Sequence, residues 1–368
     1  MTQRRSYGRV LPRLEPPDFI AHQLQSYERF LREGIPQVFA EVSPIRAPGR
    51  EDLYLELLDP SLGEPRYDEW ECRDRDLTYA APLRATGRLW VEGKLRQEAE
   101  LYLADIPLMT PRGTFIINGT ENVIVSELVR SPGLYITQDE PHLFRAHFLP
   151  EQGAWLEIEL DTKRWSLKVR LDRRATVPVT TYLRSLGMDT PEILRRYSQE
   201  VPVEALEELL SRWKAVLLAE PIAAGDEVWE VGEELTAERA KVLNRLGRSA
   251  VRVAHPAIAR SLLEEKVASR EEAIRLIYSK FRSGERVPLS QAEEYLARFY
   301  FRPDTYHLTK VGRFKINRKL GHERTETHLV PEDIFAALDL LIRAPEEPEL
   351  LDEPDHLANK RVRLAGEQ

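Results

Sequence analysis

At 368 residues, with 42% hydrophobic and 31% charged positions, the sequence has the composition of a globular protein, long enough for two or three domains and a sizeable core. A formal net charge of −8 excludes a uniformly basic nucleic-acid binder, and the single cysteine, Cys72, excludes an internal disulfide and any zinc ribbon or finger. No apolar run approaches the roughly 20 residues of a membrane span, and the basic start lacks a following apolar stretch, so the expectation is a cytoplasmic protein with no membrane partner.

Residues 1 to 17 are basic and end in Pro16-Pro17. Asp18 then reads as the N-cap of a helix whose Ile20, Leu24, Tyr27 and Leu31 make one apolar stripe, with Gly34 as its stop. Residues 44 to 50 read as a loop and Leu53 to Leu57, followed by Pro60, as a short strand. Cys72 to Val91 reads as one or two strands carrying Tyr79, Leu83, Leu89 and Val91. The first 120 residues therefore predict a sheet edged by one helix.

The stretch Asp105 to Gly133 concentrates the signals. Leu101–Met109 and Thr114–Asn118 predict a hairpin around Pro111-Arg112-Gly113. Asn118-Gly119-Thr120 is a further turn, Val123-Ile124-Val125 is β-branched, and Arg130 stands just ahead of the rigid Ser131-Pro132-Gly133 bend.

From Phe144 to Val179 the pattern alternates. Leu156, Ile158 and Leu160 share one strand face and Trp155, Glu157, Glu159 and Asp161 the other, while Ser166 to Leu171 forms a second strand running into Asp172-Arg173-Arg174. Beyond Thr190-Pro191 the reading is nearly all helical: Val203 to Leu218 carries one helix, and Ser269 with Glu272 and Ser290 with Glu293 form capping boxes. Tyr306 to Leu320 follows, then a helix opened by Pro331 and stopped by Pro345. A charged element starting at Asp355 makes the chain look cut rather than finished. The fold class expected is α+β: a sheet-plus-helix domain and a mixed domain whose second half is mostly helical.

Catalytic signals are sparse. The nearest approach to a phosphate loop, Gly87 to Lys94, has five residues between its glycines and Leu95 where Ser or Thr is needed, so it is a chance match. The eight histidines show no metal-ligand spacing. Glu157 and Glu159 share a strand face and fit a solvated surface better than a general acid and base. The positive signal is electrostatic: Lys163, Arg164, Lys168, Arg170, Arg173 and Arg174 lie in a segment with Trp155 and Trp165. Cations interleaved with flat aromatics suit single-stranded nucleic acid, and they equally suit a basic strand over two core tryptophans.

The motifs CRDRDLTYAAPLRATGRLW, DIPLMTPRGTFIINGTENVIVSELVRSPG, GAWLEIELD, VRLDRRATVP, YHLTKVGRFKINRKLG and DHLANKRVR follow one another in the order seen in bacterial and plastid RNA polymerase β subunits. Over residues 4 to 365 the sequence resembles that family, and the resemblance implies the N-terminal third or so of such a subunit. It further implies a β1, or protrusion, domain of residues 1–127 and 304–368 with a β2, or lobe, domain of 128–303 inserted. Together these contribute one jaw of a DNA cleft that meets downstream DNA and the non-template strand.

Carried over residue by residue, the resemblance implies that Arg130, Asp172 and Arg173 line a pocket for a flipped non-template guanine and that Trp155 stacks on the preceding base. Lys168, Arg170 and Arg174 are further expected DNA contacts. Val125, Ser126 and Glu127 fall at an outlying rifampicin-resistance cluster, where Glu127 departs from the usual glutamine. Arg96, Gln97 and Glu98 align with an Ile-Lys-Glu docking edge for the transcription-repair coupling factor, and only Glu98 agrees. The implied partners are DNA, the α, β′ and ω subunits, sigma factor and the coupling factor. The implied nucleotidyltransferase needs Mg2+ held by β′, so this chain alone is expected to be inert, with no cofactor of its own.

Overall fold

A computed structural model describes residues 17–47, 50–213, 215–224 and 227–368. The basic segment read at residues 1–16 and part of the loop at 48–49 lie outside them. The chain divides into two compact units, one of residues up to Val129 with Arg361–Gln368 and one of Arg130–Lys360. The fold is α+β in both.

The first unit begins with α1 (Ala21–Arg29), whose N-cap position is Ile20 rather than the expected Asp18; Asp18 Oδ1 accepts the Ile20 amide at 3.0 Å, two residues before the helix amides that a cap would satisfy. The expected stop at Gly34 is not one. Phe30–Gly34 form a π-helical turn that carries the chain into α2 (Ile35–Val42). Gly34 keeps a right-handed φ of −67°, and a Cβ there would meet the Phe30 ring at 3.0 Å, so this glycine makes room for an aromatic ring rather than ending a helix.

Strands β1 (Ile45–Ala47) and β2 (Arg50–Leu62) follow, β2 running through Pro60 well past the expected Leu57. Cys72 is not in a strand but buried in α3 (Glu69–Asp74), which Asp68 caps through the Glu71 amide. After it, β3 (Ala80–Val91) and β4 (Lys94–Pro107) form a long hairpin through Glu92 and Gly93, whose φ values of 52° and 71° match a type I′ turn. The sheet order is β1-β2-β3-β4, so β4 is an edge.

The hairpin expected around Pro111-Arg112-Gly113 is therefore displaced. Residues 101–107 pair with β3, and only a single bridge, Met109 with Phe115, spans that turn. The actual hairpin joins β5 (Phe115–Ile117) to β6 (Thr120–Asn122) through Asn118-Gly119, both at positive φ. Val123-Ile124-Val125 belong to no strand, and Val123 and Val125 are exposed. Strand β7 (Glu127–Arg130) follows.

The second unit is built on a five-stranded antiparallel meander: β8 (Gly133–Glu140), β9 (Leu143–Leu149), β10 (Leu156–Asp161), β11 (Ser166–Leu171) and β12 (Ala175–Pro178). The period-2 reading holds: Leu156, Ile158, Leu160, Leu167, Val169 and Leu171 are all buried on one face. Each contributes roughly 1.5–3 kcal/mol of burial. That face is covered by helices from distant parts of the chain.

These start with α4 (Val179–Ser185) and α5 (Thr190–Arg196), the latter capped by Asp189. The region read as helical is more mixed than expected. The long Val203–Leu218 helix shrinks to α6 (Leu206–Arg212), and β13 (Ser198–Pro202), β14 (Ile222–Ala224), β15 (Glu227–Trp229), α7 (Ala237–Arg245) and β16 (Ala250–Ala254) enclose a small separate core around Trp213, Val216, Trp229 and Val253. Then come α8 (Pro256–Glu264), α9 (Arg270–Phe281), α10 (Leu289–Tyr300), α11 (Thr309–Leu320) and α12 (Pro331–Arg343). Ser269 caps α9 as expected, whereas α10 starts behind Pro288 and Ser290 lies inside it.

Tyr306, Leu308, Ile316, Leu329, Ile334 and Leu338 join the core of the meander, and α11 packs on β8 and α12 on β9 and β10. The compact units therefore divide at 360/361, whereas the resemblance draws its second domain boundary at 303/304. The last strand, β17 (Lys360–Arg363), pairs with β7. Among the described residues no helix is long and apolar enough to cross a membrane.

Candidate nucleic-acid interface

The register of the meander decides which functional residues can meet. Leu134, Phe148, Leu156, Leu171 and Ala175 lie in one row across the five strands. Arg130, the last residue of β7, comes three residues before β8, Trp155 comes just before β10, and Asp172-Arg173-Arg174 follow β11, so all belong to the same end of the sheet. Lys163, Arg164 and Trp165 sit in the β10–β11 turn at the opposite end, roughly 20 Å away by strand length. The basic segment is thus two groups, not one.

At the first end, Asp172 and Arg173 both have positive φ, 48° and 55°, and the Arg174 amide donates to the Leu171 carbonyl at 3.0 Å. This is the φ signature of a type I′ turn, reached here without glycine at either position. Aspartate tolerates that region; arginine there is less common and is held by its contacts. The Arg173 guanidinium carbon lies 3.6 Å from the centroid of the Trp155 ring, a cation–π contact. Arg174 Nε reaches the Asp172 carboxylate at 3.2 Å.

The backbone beneath is tied equally closely. The Asp172 amide donates to the Trp155 carbonyl at 2.9 Å and to Tyr300 Oη at 3.1 Å, and Tyr300 Oη donates to the same Trp155 carbonyl at 3.1 Å. Trp155 is half-buried while Arg173 and Arg174 are exposed. A cleft of about 350 Å3 opens beside them, lined by Gly153, Ala154, Asp172, Tyr295, Arg298 and Thr305.

Arg130 is exposed at the same end, but the structure shows no contact between it and Trp155 or Asp172. Among the described residues it makes no hydrogen bond or ion pair, which leaves its guanidinium available. Its charge opposes the rise of the Tyr135 hydroxyl, pushed up to about 12 chiefly by burial and further by Asp352. Arg170 is engaged by Glu157 at 3.7 Å, and Lys168 stands opposite Glu159 on β10, whose carboxylate is taken by Arg145 at 3.0 Å. His147, 3.6 Å from Glu157, is the chief group holding that carboxyl below its usual range, with Arg170 and Arg145 adding. The paired strand carboxylates are thus structural partners of basic side chains.

Trp165 does not offer a stacking face. It packs edge-on against Trp213 and His255, with centroid separations of 6.3 and 5.5 Å. Two residues that sequence reasoning missed, Tyr300 and Arg298, come from α10. No local signal marks them, because the partners of Tyr300 lie 128 and 145 positions away.

In the first unit, Val125 and Ser126 lie on the segment leading into β7 and Glu127 is its first residue. Gln23 Nε2 donates to Ser126 Oγ at 2.8 Å, Gln368 Nε2 donates to the Val125 carbonyl at 2.9 Å, and Arg363 stands 4.0 Å from Glu127. Arg96, Gln97 and Glu98 are all exposed on the edge strand β4, with Glu98 paired to Arg88 at 2.7 Å.

Comparison with known proteins gives concordant matches. The family model described as RNA polymerase Rpb2, domain 2, matches residues 240–363, from within α7 to the end of β17. The chain is similar over 99% of its length to proteins named DNA-directed RNA polymerase subunit beta. It is 35% identical to that of Chloroflexus aggregans, 35% to that of Kosmotoga olearia and 32% to that of Caulobacter vibrioides. It covers 29%, 35% and 34% of those proteins, respectively. The chain therefore spans about a third of the length of these relatives.

Proposed function

This chain belongs to the RNA polymerase β-subunit family, of whose members it spans about a third, and from that premise we propose that it is a DNA-guiding part of the multisubunit polymerase. On this reading it contributes to one jaw of the DNA cleft, meeting downstream DNA and the non-template strand of the transcription bubble. Nucleotidyl transfer and its Mg2+ we assign to β′, with α, β′, ω and sigma factor as assembly partners.

The observation that carries the proposal is the Trp155–Asp172–Arg173 cluster at one end of the meander. An indole gives a base a sequence-tolerant stacking face. A guanidinium grips a guanine edge or a phosphate, and a carboxylate accepts from an exocyclic amine. Arg130, unpaired among the described residues, supplies a second cation at the same sheet end.

The test is binding of fluorescein-labelled single-stranded DNA by the full chain, read by anisotropy. Trp155→Ala is expected to weaken binding about 2- to 70-fold, the worth of one base stack less the cation–π contact it replaces. Arg130→Ala is expected to lower both affinity and its salt dependence. Affinities unchanged in both variants would remove the site.

A second reading, a docking platform for transcription factors such as the coupling factor, is favoured by β4. This strand is a sheet edge with exposed Arg96, Gln97 and Glu98, and an added strand pairs mainly through backbone groups. A pull-down of the coupling factor with Leu95→Pro or Gln97→Pro variants tests it, since a proline on the edge removes a backbone donor. Retention by both variants would argue against strand addition.

A further inference from the structure

We propose that Tyr300 is the positioning residue of the interface, clamping Trp155 and Asp172 so that platform and acceptor are held in register before any nucleic acid arrives. The inference rests on the nucleic-acid reading above and adds a residue from a different part of the chain.

Trp155 and the Asp172-Arg173 turn lie just beyond the last ladder pair of their strands, Leu156 with Leu171, and the Asp172 amide donates to the Trp155 carbonyl there. The Tyr300 hydroxyl adds a second tie. It accepts the Asp172 amide and donates to the Trp155 carbonyl, each at 3.1 Å, so that one oxygen spans the two loops while the Asp172 amide also reaches the Trp155 carbonyl. The ring is buried, at 2% exposure, and burial above all holds its hydroxyl protonated, so the donor persists across the usable pH range.

The chain just beyond Tyr300 grips the same loop from its other side. Glu151 and Gln152 donate to the His307 carbonyl at 2.8 and 3.2 Å, and His307 donates back to Gln152 at 2.8 Å. Gly153 has φ +124°, and a Cβ there would come within 2.8 Å of the Tyr306 ring and 3.0 Å of the Thr305 carbonyl. The end of α10 and the residues after it thus form one clamp on the Trp155 loop, with Tyr300 as the member that also reaches Asp172.

Two neighbours supply the control. Tyr182 and Tyr306 are as buried as Tyr300, Tyr306 packs 5.8 Å from its ring, and among the described residues neither hydroxyl has a hydrogen-bond partner. Removing those hydroxyls takes away nothing that holds the turn. Removing that of Tyr300 takes away both bonds.

The experiment compares Tyr300→Phe, Tyr306→Phe and Tyr182→Phe in the full chain with two readouts. The first is amide hydrogen exchange of residues 153–156 and 171–175 without DNA, where Tyr300→Phe alone is expected to exchange several-fold faster. The second is anisotropy with thymidine 12-mers that carry or lack one central guanine. In Tyr300→Phe the preference for the guanine oligomer is expected to fall about three- to tenfold, the worth of one or two hydrogen bonds. Its salt slope, which reports phosphate contacts, should not change.

Unchanged exchange in Tyr300→Phe, or equal acceleration in all three variants, would overturn the inference, since the latter would mean packing rather than the hydroxyl bridge. Wild-type protein that binds neither oligomer, with Tyr300→Phe still showing its specific exchange effect, would overturn the nucleic-acid reading and support the clamp alone.

Discussion

His255 makes the stability of the second unit depend on pH in a way that can be worked out in advance. It is buried at the start of α8, its Nδ1 accepts the Ala257 amide at 3.4 Å, and its ring packs edge-on against Trp165. Burial pushes its pKa down to about 4, against about 6.5 in an unfolded chain. Between these values the unfolded state binds a proton that the folded state does not, so stability rises with pH and is lost as pH falls from 6.5 towards 4. For one such site the loss between pH 7.5 and 5.5 is about 1.3 kcal/mol, levelling near 3.4 kcal/mol below pH 4.

His255→Asn retains a side-chain acceptor for the helix start and removes the titration. Urea unfolding followed by tryptophan fluorescence at pH 7.5 and 5.5 should show the wild type losing about 1.3 kcal/mol more than the variant over that interval. Other titrating groups are common to both proteins and cancel. Parallel losses in the two would mean that His255 is protonated in the folded protein, refuting the burial argument.

The remaining predictions concern packing. Arg313 Nη1 meets both Asp333 oxygens at 2.9–3.0 Å in full burial, its Nε donates to the Glu326 carbonyl, and the Val330 amide donates to Asp333 Oδ2. Asp333→Ala or Arg313→Met alone should cost about 3–5 kcal/mol by stranding a buried charge, with the double variant costing clearly less than the sum. A denaturant double-mutant cycle with additive losses would contradict that pairing. In the first unit, a Cβ on Gly366 would overlap the Ser26 carbonyl group. Gly366→Ala is therefore expected to detach the C-terminal segment from α1 or cost about 1–3 kcal/mol, measured by exchange of the Ala365 and Gly366 amides that now bond Gln23 and Ser26.

What the sequence revealed follows the range of the interactions. Leu156, Ile158 and Leu160 announced their strand because one buried face imposes a period of two, and Ser166–Leu171 matched its strand end for end. Asp172-Arg173 was legible as the end of a strand but not as a primed turn, because neither residue is glycine. Residues 101–107 went to the wrong partner because an edge strand pairs equally well by pattern with the segment before or after it. Gly34 misled because helix stops and ring clearance use the same residue. Trp165 and Trp155 look alike in one dimension, and only the packing of Trp213 and His255 shows that the first is core. The families of motifs brought Trp155, Asp172 and Arg173 to notice, while Tyr300 had to await the fold, since its role exists only where α10 meets two loops.

The guanidinium lying on Trp155 means that the indole is not a vacant shelf. On the proposed nucleic-acid reading, a base arriving at that face takes part in an exchange, stacking in place of a resident cation. The net gain is the difference between about 1–3 kcal/mol for base stacking and about 0.5–1 kcal/mol for an exposed cation–π contact. Weakly stacking pyrimidines then gain little and purines gain more, so the chain sets a threshold with its own side chain. The displaced arginine is at the same moment released to seek a phosphate or a base edge, so uncovering the platform and arming the grip become one movement.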